Sequence, residues 1–297
     1  IFEKLSEAEI NVDLIIQATN EGKRNDISFT VSEEKLEETI DQCKFIIREL
    51  GGAYSVLSNM SKLSIQGAGI MGRPSVSAEL FETLSKANIN VRLIATSEIK
   101  VSCVIDIKDM NKAIRFVGEK FKLNSNQIYI NPLSKINKEE PEVRGIALDK
   151  NQVQVSFRNL PDKPGVAASI CLLLAEANLI FDTIVQSERK TELNTKDISL
   201  TMSKDDRNNA DDIFKSIIKK LPGSKVEDGP SIAKVSAVGA GMAFKVGTAG
   251  KIFRALANEK INIEMIATSE IRTSCVVLEK DCNKAVQAIH DHFDLDE

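Results

Sequence analysis

Along residues 60–131 the spacing of apolar side chains switches between two periods. In KLSIQGAG, from Lys62, apolar and polar positions alternate, which predicts a half-buried strand ending in a glycine turn. SVSAELFETLSKANI, from Ser75, puts Leu80, Leu84 and Ala87 on one helical face. NVRLIATSE and KVSCVID return to strand character. DMNKAIRFVGEKFKL then aligns Met110, Ile114, Val117 and Phe121, with Asp109 placed to cap a second helix. NQIYI follows as a candidate fourth strand. The order strand, helix, strand, strand, helix, strand is the ferredoxin-like pattern. Both helices cover one face of such a sheet, so its other face and one edge need a partner.

The pattern recurs. IATSEIKVSCVI at 94–105 returns as IATSEIRTSCVV at 266–277, an offset of 266 − 94 = 172, and 62–123 overlays 234–295 without a gap. Upstream, 1–17 matches 170–186 at 170 − 1 = 169, and NDISFTV from Asn25 matches KDISLTM from Lys196 at 196 − 25 = 171. Within the second copy, 164–185 runs parallel to 246–267 at 246 − 164 = 82, bringing Gly165 onto Gly247. The chain is therefore a repeat of a repeat, with four modules of about 70 residues each. The expected fold is α+β, with four ferredoxin-like βαββαβ modules in two tandem pairs. Expected bounds are 1–59 (truncated at its start), 60–131, a linker at 132–142, 151–229, and 230–297 completed by a strand at 143–150. Residue 1 is Ile, and Phe2, Leu5 and Ala8 stand at helical spacing, so the sequence reads as opening inside a helix of a longer protein.

Composition narrows the function. Hydrophobic residues make up 42% of the 297 and charged ones 28%, the balance of a globular chain with a real core. No apolar run approaches the roughly 20 residues of a membrane span, and no signal peptide is expected. A cytoplasmic location without a membrane partner is expected. Net charge of −4 and 5% aromatic content without tryptophan give no footprint for nucleic acid. Five cysteines, an odd count without a C-x-x-C pair, suit a reducing compartment and core packing. His290 and His292, two positions apart on a helix, make a poor metal pair, and no metal site is expected.

GAGIMG at 67–72 matches G-x-G-x-x-G, but its repeat GAGMAF carries Phe244 for the third glycine. Arg92 falls where a ribose-binding acid would stand, and the module is too short for a doubly wound sheet. Neither a phosphate loop nor a Ser/His/Asp or Cys/His set can be assembled, so no catalytic residue is assigned. NLPDKPGVAAS at 159–169 is more informative. Its turn ahead of a helix aims backbone N–H groups at an anion such as an α-carboxylate, and Asp162 can accept an α-ammonium. An ordinary turn with an aspartate cap is the alternative. Thr96, Ser97 and Glu98, with their repeats Thr268, Ser269 and Glu270, suit either an amine-bearing ligand or a turn that satisfies its own backbone.

LPDKPGVAA, INVDLIIQ followed by DISFTV, KVSAVGAGM and INIEMIATSEIRTSCVV together resemble the regulatory half of aspartate kinase, which is built from paired ACT domains. The resemblance covers essentially the whole chain, and two tandem pairs resemble the cyanobacterial-type enzyme. It implies a parent that phosphorylates L-aspartate from ATP and Mg, under feedback inhibition by L-lysine, L-threonine or both, bound between modules. It implies an N-terminal kinase domain and a homodimer as partners, with no cofactor held by this chain. The family's K-F-G-G-T-S string does not occur here, so the chain alone is expected to be inactive. Carried over by motif, the effector site uses Asp162, Pro164, Gly165, Val166, Ala167, Gln186 and Asp197. The first unit keeps Asp13, Gln17 and Asp26, while Ser97, Glu98, Ser269 and Glu270 are expected to face the sites from partner modules. Val246 replaces the usual proline, so the fourth module's turn is expected to be structural. The rival readings are an oligomerisation module, a nucleotide-dependent oxidoreductase built on GAGIMG, and the amino-acid-sensing region of another biosynthetic enzyme.

Overall fold

The computed structural model describes residues 1–19, 25–67, 70, 72–97, 99–129, 140–186, 195–243 and 245–295. In chain order its elements are α1 (Phe2–Glu7), β1 (Ile15–Thr19), β2 (Asn25–Phe29), α2 (Leu36–Leu50), β3 (Met60–Gln66), α3 (Pro74–Lys86), β4 (Leu93–Ser97), β5 (Lys100–Asp106) and α4 (Met110–Lys120). There follow β6 (Gly145–Pro161), α5 (Val166–Glu176), β7 (Phe181–Gln186), β8 (Thr195–Ser203), α6 (Lys204–Asn208), α7 (Asp211–Lys220), β9 (Lys225–Val238), α8 (Thr248–Asn258), β10 (Met265–Ser269), β11 (Arg272–Leu278) and α9 (Cys282–His292). The fold is α+β, a tandem array of ferredoxin-like modules. None of the described helices is long and apolar enough to cross a membrane.

The eleven described strands form one sheet in the order β2-β1-β10-β11-β9-β6-β8-β7-β4-β5-β3. Strands of the first module thus join those of the fourth, through Ile16 opposite Ala267. Strands of the second join the third, through Ile94 opposite Gln186. The sheet doubles back on itself, because β10 also lies against β4 and β1 against β7. Leu14, Ile16, Ala95, Val185, Met265 and Ala267 fill the seam between the two layers. Three buried or half-buried serine pairs face one another across neighbouring strands, Ser64 with Ser102, Ser156 with Ser199 and Ser236 with Ser274, each at 2.9 Å. Each hydroxyl satisfies the other, which burial requires.

Helices cover the outer faces. Leu80, Phe81 and Leu84 of α3 are buried with Cys103, Phe157, Ile170 and Phe214 in one core, while Ile252, Leu256, Cys275 and Ile289 anchor another. Burial pushes the Cys103, Cys171 and Cys275 thiols up to about 12, in keeping with a packing role.

The structure departs from the sequence spacing in three places. The strands expected at 143–150 and from 151 run on as the single β6, since β9 pairs with it from Gly145 to Arg158. A bulge between Asp149 and Gln152 absorbs the irregularity, with Asn151 at φ 63°. NQIYI does not extend as a strand within the described residues. Asn124 and Gln127 form a capping box around a 3-10 turn at Ser125–Gln127, and Ile128 lies over Gly118 of α4. Ile130 and most of the expected linker, 132–139, lie outside the described residues. Asp109 stands at the N-cap of α4 but makes no side-chain cap bond.

Two candidate effector pockets

The turn after β6 places Gly165 at φ 94°. A Cβ there would come within 2.7 Å of Ser85 Oγ on α3, so glycine is what lets α5 begin this close to the second module. The first backbone amides of α5 then border a cavity of about 380 Å³, open mouth included. Asp162, Pro164, Gly165, Val166, Ala167 and Gln186 line it from the third module, together with Lys196. Asn90 and Val91 line it from the second.

Asp162 Oδ1 accepts from Asn90 Nδ2 at 2.9 Å and pairs with Lys196 Nζ at 3.0 Å, while Arg92 Nη1 stands 3.9 Å from Oδ2. Burial works to raise this carboxyl, but the donors outweigh it and hold it below the usual carboxylate range. Gln186 is buried and donates Nε2 to Val91 O at 2.9 Å and Arg92 O at 3.1 Å. The cavity therefore offers an ionised carboxylate beside a helix N-terminus, a pairing that complements an ammonium and a carboxylate on one small molecule.

Asp197 is elsewhere. Strand alternation sends it to the face opposite Lys196, where it accepts from Arg158 Nη1 and from the Asn159 backbone N–H, both at 3.0 Å.

A second cavity, of about 670 Å³, opens where the fourth module meets the first. Gly247 takes φ 92°, and a Cβ there would collide with Ser6 on α1. The start of α8 at Thr248, Ala249 and Gly250 lines the cavity with Lys245, Asn11, Asp13, Ser269 and Glu270. A cavity thus forms even though Val246 stands at the proline position. Glu270 bonds Lys100 of the second module and lies 3.5 Å from Lys62, which also pairs with Asp13 at 2.5 Å. Burial raises Glu270, and the two lysines more than offset this, keeping its carboxyl low.

Gln17 lies outside the cavity lining, and its Nε2 donates to Ile263 O at 2.7 Å across the module boundary. Thr268 accepts from Ile15 N at 2.8 Å, as Thr96 accepts from Ile184 N at 2.8 Å in the other pair. Asp26 sits on β2 opposite Ala18 and borders neither cavity. Ser97 Oγ is buried without a hydrogen-bond partner, and Glu98 lies outside the described residues. Sequence reasoning missed Asn90, Asn11 and Lys196, whose place in a cavity depends on which modules pair. Gly247 was marked by its offset from Gly165.

A family model described as ACT domain matches residues 63–121 and 235–293. An aspartate kinase of Stutzerimonas stutzeri is 40% identical over 158 residues, 53% of this chain and 38% of that protein. A crystal structure of aspartate kinase from Synechocystis superposes with a TM-score of 0.91 at 38% identity, covering 99% of this chain and 51% of that one. The regulatory subunit of aspartate kinase from Thermus flavus is 34% identical over 51% of this chain and 99% of its own, with a TM-score of 0.48. The chain thus spans about half the length of the Synechocystis enzyme, and less of the curated relatives.

Proposed function

Because the chain belongs to the ACT-domain regulatory regions of the aspartate kinase family, we propose that it is an amino-acid sensor whose effectors bind where modules meet. The observation that carries this reading is the cavity at Asp162, where a carboxylate and the N-terminus of α5 face Asn90 and Val91 of another module. An effector's α-ammonium is placed against Asp162 and its α-carboxylate against the amides of Val166 and Ala167. The cavity at Gly247 is its counterpart, with Asp13, Ser269 and Glu270 on its wall. L-lysine, L-threonine or both are the proposed effectors.

In the parent, this region acts on an N-terminal kinase domain that uses ATP and Mg to phosphorylate L-aspartate. Effector binding shifts that domain toward an inactive state, a coupling of about 1–3 kcal/mol. The parent is proposed to be a cytoplasmic homodimer that feeds amino-acid biosynthesis. The modules are taken as 1–59, 60–131, 151–229 and 230–297, the last completed by 143–150.

Titration calorimetry with L-lysine and L-threonine, singly and together, tests the reading. Heat of binding that Asp162→Asn weakens at least about tenfold supports it. No heat with either amino acid refutes it and leaves a purely oligomeric role.

A further inference from the structure

Building on that proposed function, we infer that Lys196 sets the side-chain selectivity of the cavity at Asp162. It admits an amino acid with a neutral side chain and turns away one that carries a second cation. Lys196 is 4% exposed along its side chain and reaches into the cavity wall rather than to solvent. Its Nζ pairs with Asp162 Oδ1 at 3.0 Å and donates to Val91 O at 3.1 Å. Asn90 donates to the same Oδ1 and Gln186 to the same Val91 carbonyl. Asp162 Oδ1 and the Val91 carbonyl are therefore already serving internal donors, and Asp162 Oδ2, 3.9 Å from Arg92 Nη1, is the carboxylate oxygen that takes an α-ammonium. A second ammonium would come to rest among Lys196, Lys163 and Arg92, against a lining of Phe81, Ile89 and Ile198. An unpaired buried cation is costly in such surroundings.

The fold does not require the lysine. Gln186 pairs opposite Ile198 in the third module, as Gln17, Thr96 and Thr268 pair opposite Ile27, Val101 and Thr273 in the others. Counting back two residues from each, Lys196 corresponds to Asn25, Ile99 and Ile271. Asn25 stands at that position at the start of β2, and Ile99 and Ile271 occupy it on the turns just ahead of β5 and β11, so the charge is particular to the third module and its cavity.

Methyl spectra of protein labelled at isoleucine Cδ1 resolve the two cavities in one sample. Ile89 and Ile198 line the cavity at Asp162, and Ile10 and Ile15 line the other. Titration with L-threonine and L-lysine should show Ile89 and Ile198 responding at lower threonine concentration. Lys196→Met should cut that preference at least about tenfold, with lysine gaining, and Lys196→Arg should keep it. Ile10 and Ile15 should titrate unchanged in both variants. Should Lys196→Met fail to fold, Lys196→Ile, which copies Ile99 and Ile271, takes its place. A preference that survives loss of the charge overturns the inference while leaving the sensor reading intact, as does a wild-type preference for lysine at Ile89 and Ile198. No response of Ile89 and Ile198 to either amino acid also overturns the inference, and silence at Ile10 and Ile15 as well overturns both.

Discussion

Replacing Glu270 by Gln tests whether the two sheet layers are held by charge as well as by apolar contact. Glu270 lies on the fourth module and Lys100 on the second, with side chains 14% and 7% exposed. The substitution keeps the shape and removes the carboxylate, so the Lys100 ammonium stays buried without its counter-charge. Lys62 suffers less, because it retains Asp13 at 2.5 Å. Breaking one side of a buried pair costs about 3 kcal/mol. With an unfolding entropy of about 2.1 cal/mol/K per residue over 297 residues, that is a fall in Tm of about 5 °C. Urea unfolding of wild type, Glu270→Gln, Lys100→Met and the double variant gives the coupling directly. The double variant should recover most of the loss, with a coupling of about 2 kcal/mol. The pH dependence has a definite sign. Glu270 has its folded pKa depressed, so its contribution is present above the unfolded glutamate value of about 4.3. It is lost as pH falls through the lowered native value. Wild type should lose stability on acidification through this window, and Glu270→Gln should lose less. Additive single-variant losses, or a Glu270→Gln cost under about 1 kcal/mol, would refute the reasoning.

Gly165→Ala should destabilise by about 1–3 kcal/mol, since φ 94° and the approach to Ser85 Oγ both oppose a Cβ. Ser85→Gly in the same chain should return only the steric part, as read from denaturant midpoints. Ser236→Ala alone should cost about 1–3 kcal/mol by orphaning the Ser274 hydroxyl, and Ser236→Ala with Ser274→Ala should cost less than that single change. With a thiol reagent at pH 8, half-buried Cys43 should label in the native protein. Cys103, Cys171 and Cys275, raised to about 12 and buried, should label only after unfolding; prompt native labelling of Cys103 would contradict the packing role.

Much of this architecture was legible because the chain states it more than once. The match of Gly165 to Gly247 marked two helix starts, and both glycines adopt positive φ beside another module. Module pairing was not legible, because the contacts of Ile16 with Ala267 and Ile94 with Gln186 join strands far apart in sequence. Apolar alternation says which face is buried but not against what. The same limit hid Asn90 and Lys196, which enter a cavity only once the second and third modules meet. Motif matching favoured Asp197, yet neighbouring strand residues point to opposite faces, and the cavity receives Lys196 instead. At NQIYI a local capping box outweighed strand propensity.

The continuous strand β6 has a mechanical consequence. Its last residue, Pro161, passes directly into Asp162 at one cavity. Just before its first residue, Glu142 bonds Thr248 and Lys251 at the start of α8, where the other cavity opens. Seventeen residues of strand span about 56 Å at 3.3 Å each. The ladder to β9 runs from Gly145 to Arg158, and pairing with β8 carries on to Pro161, so the strand is stiffened to its end. The two cavities are thus seated at opposite ends of one tie-rod, and a pull at either end loads the same hydrogen bonds.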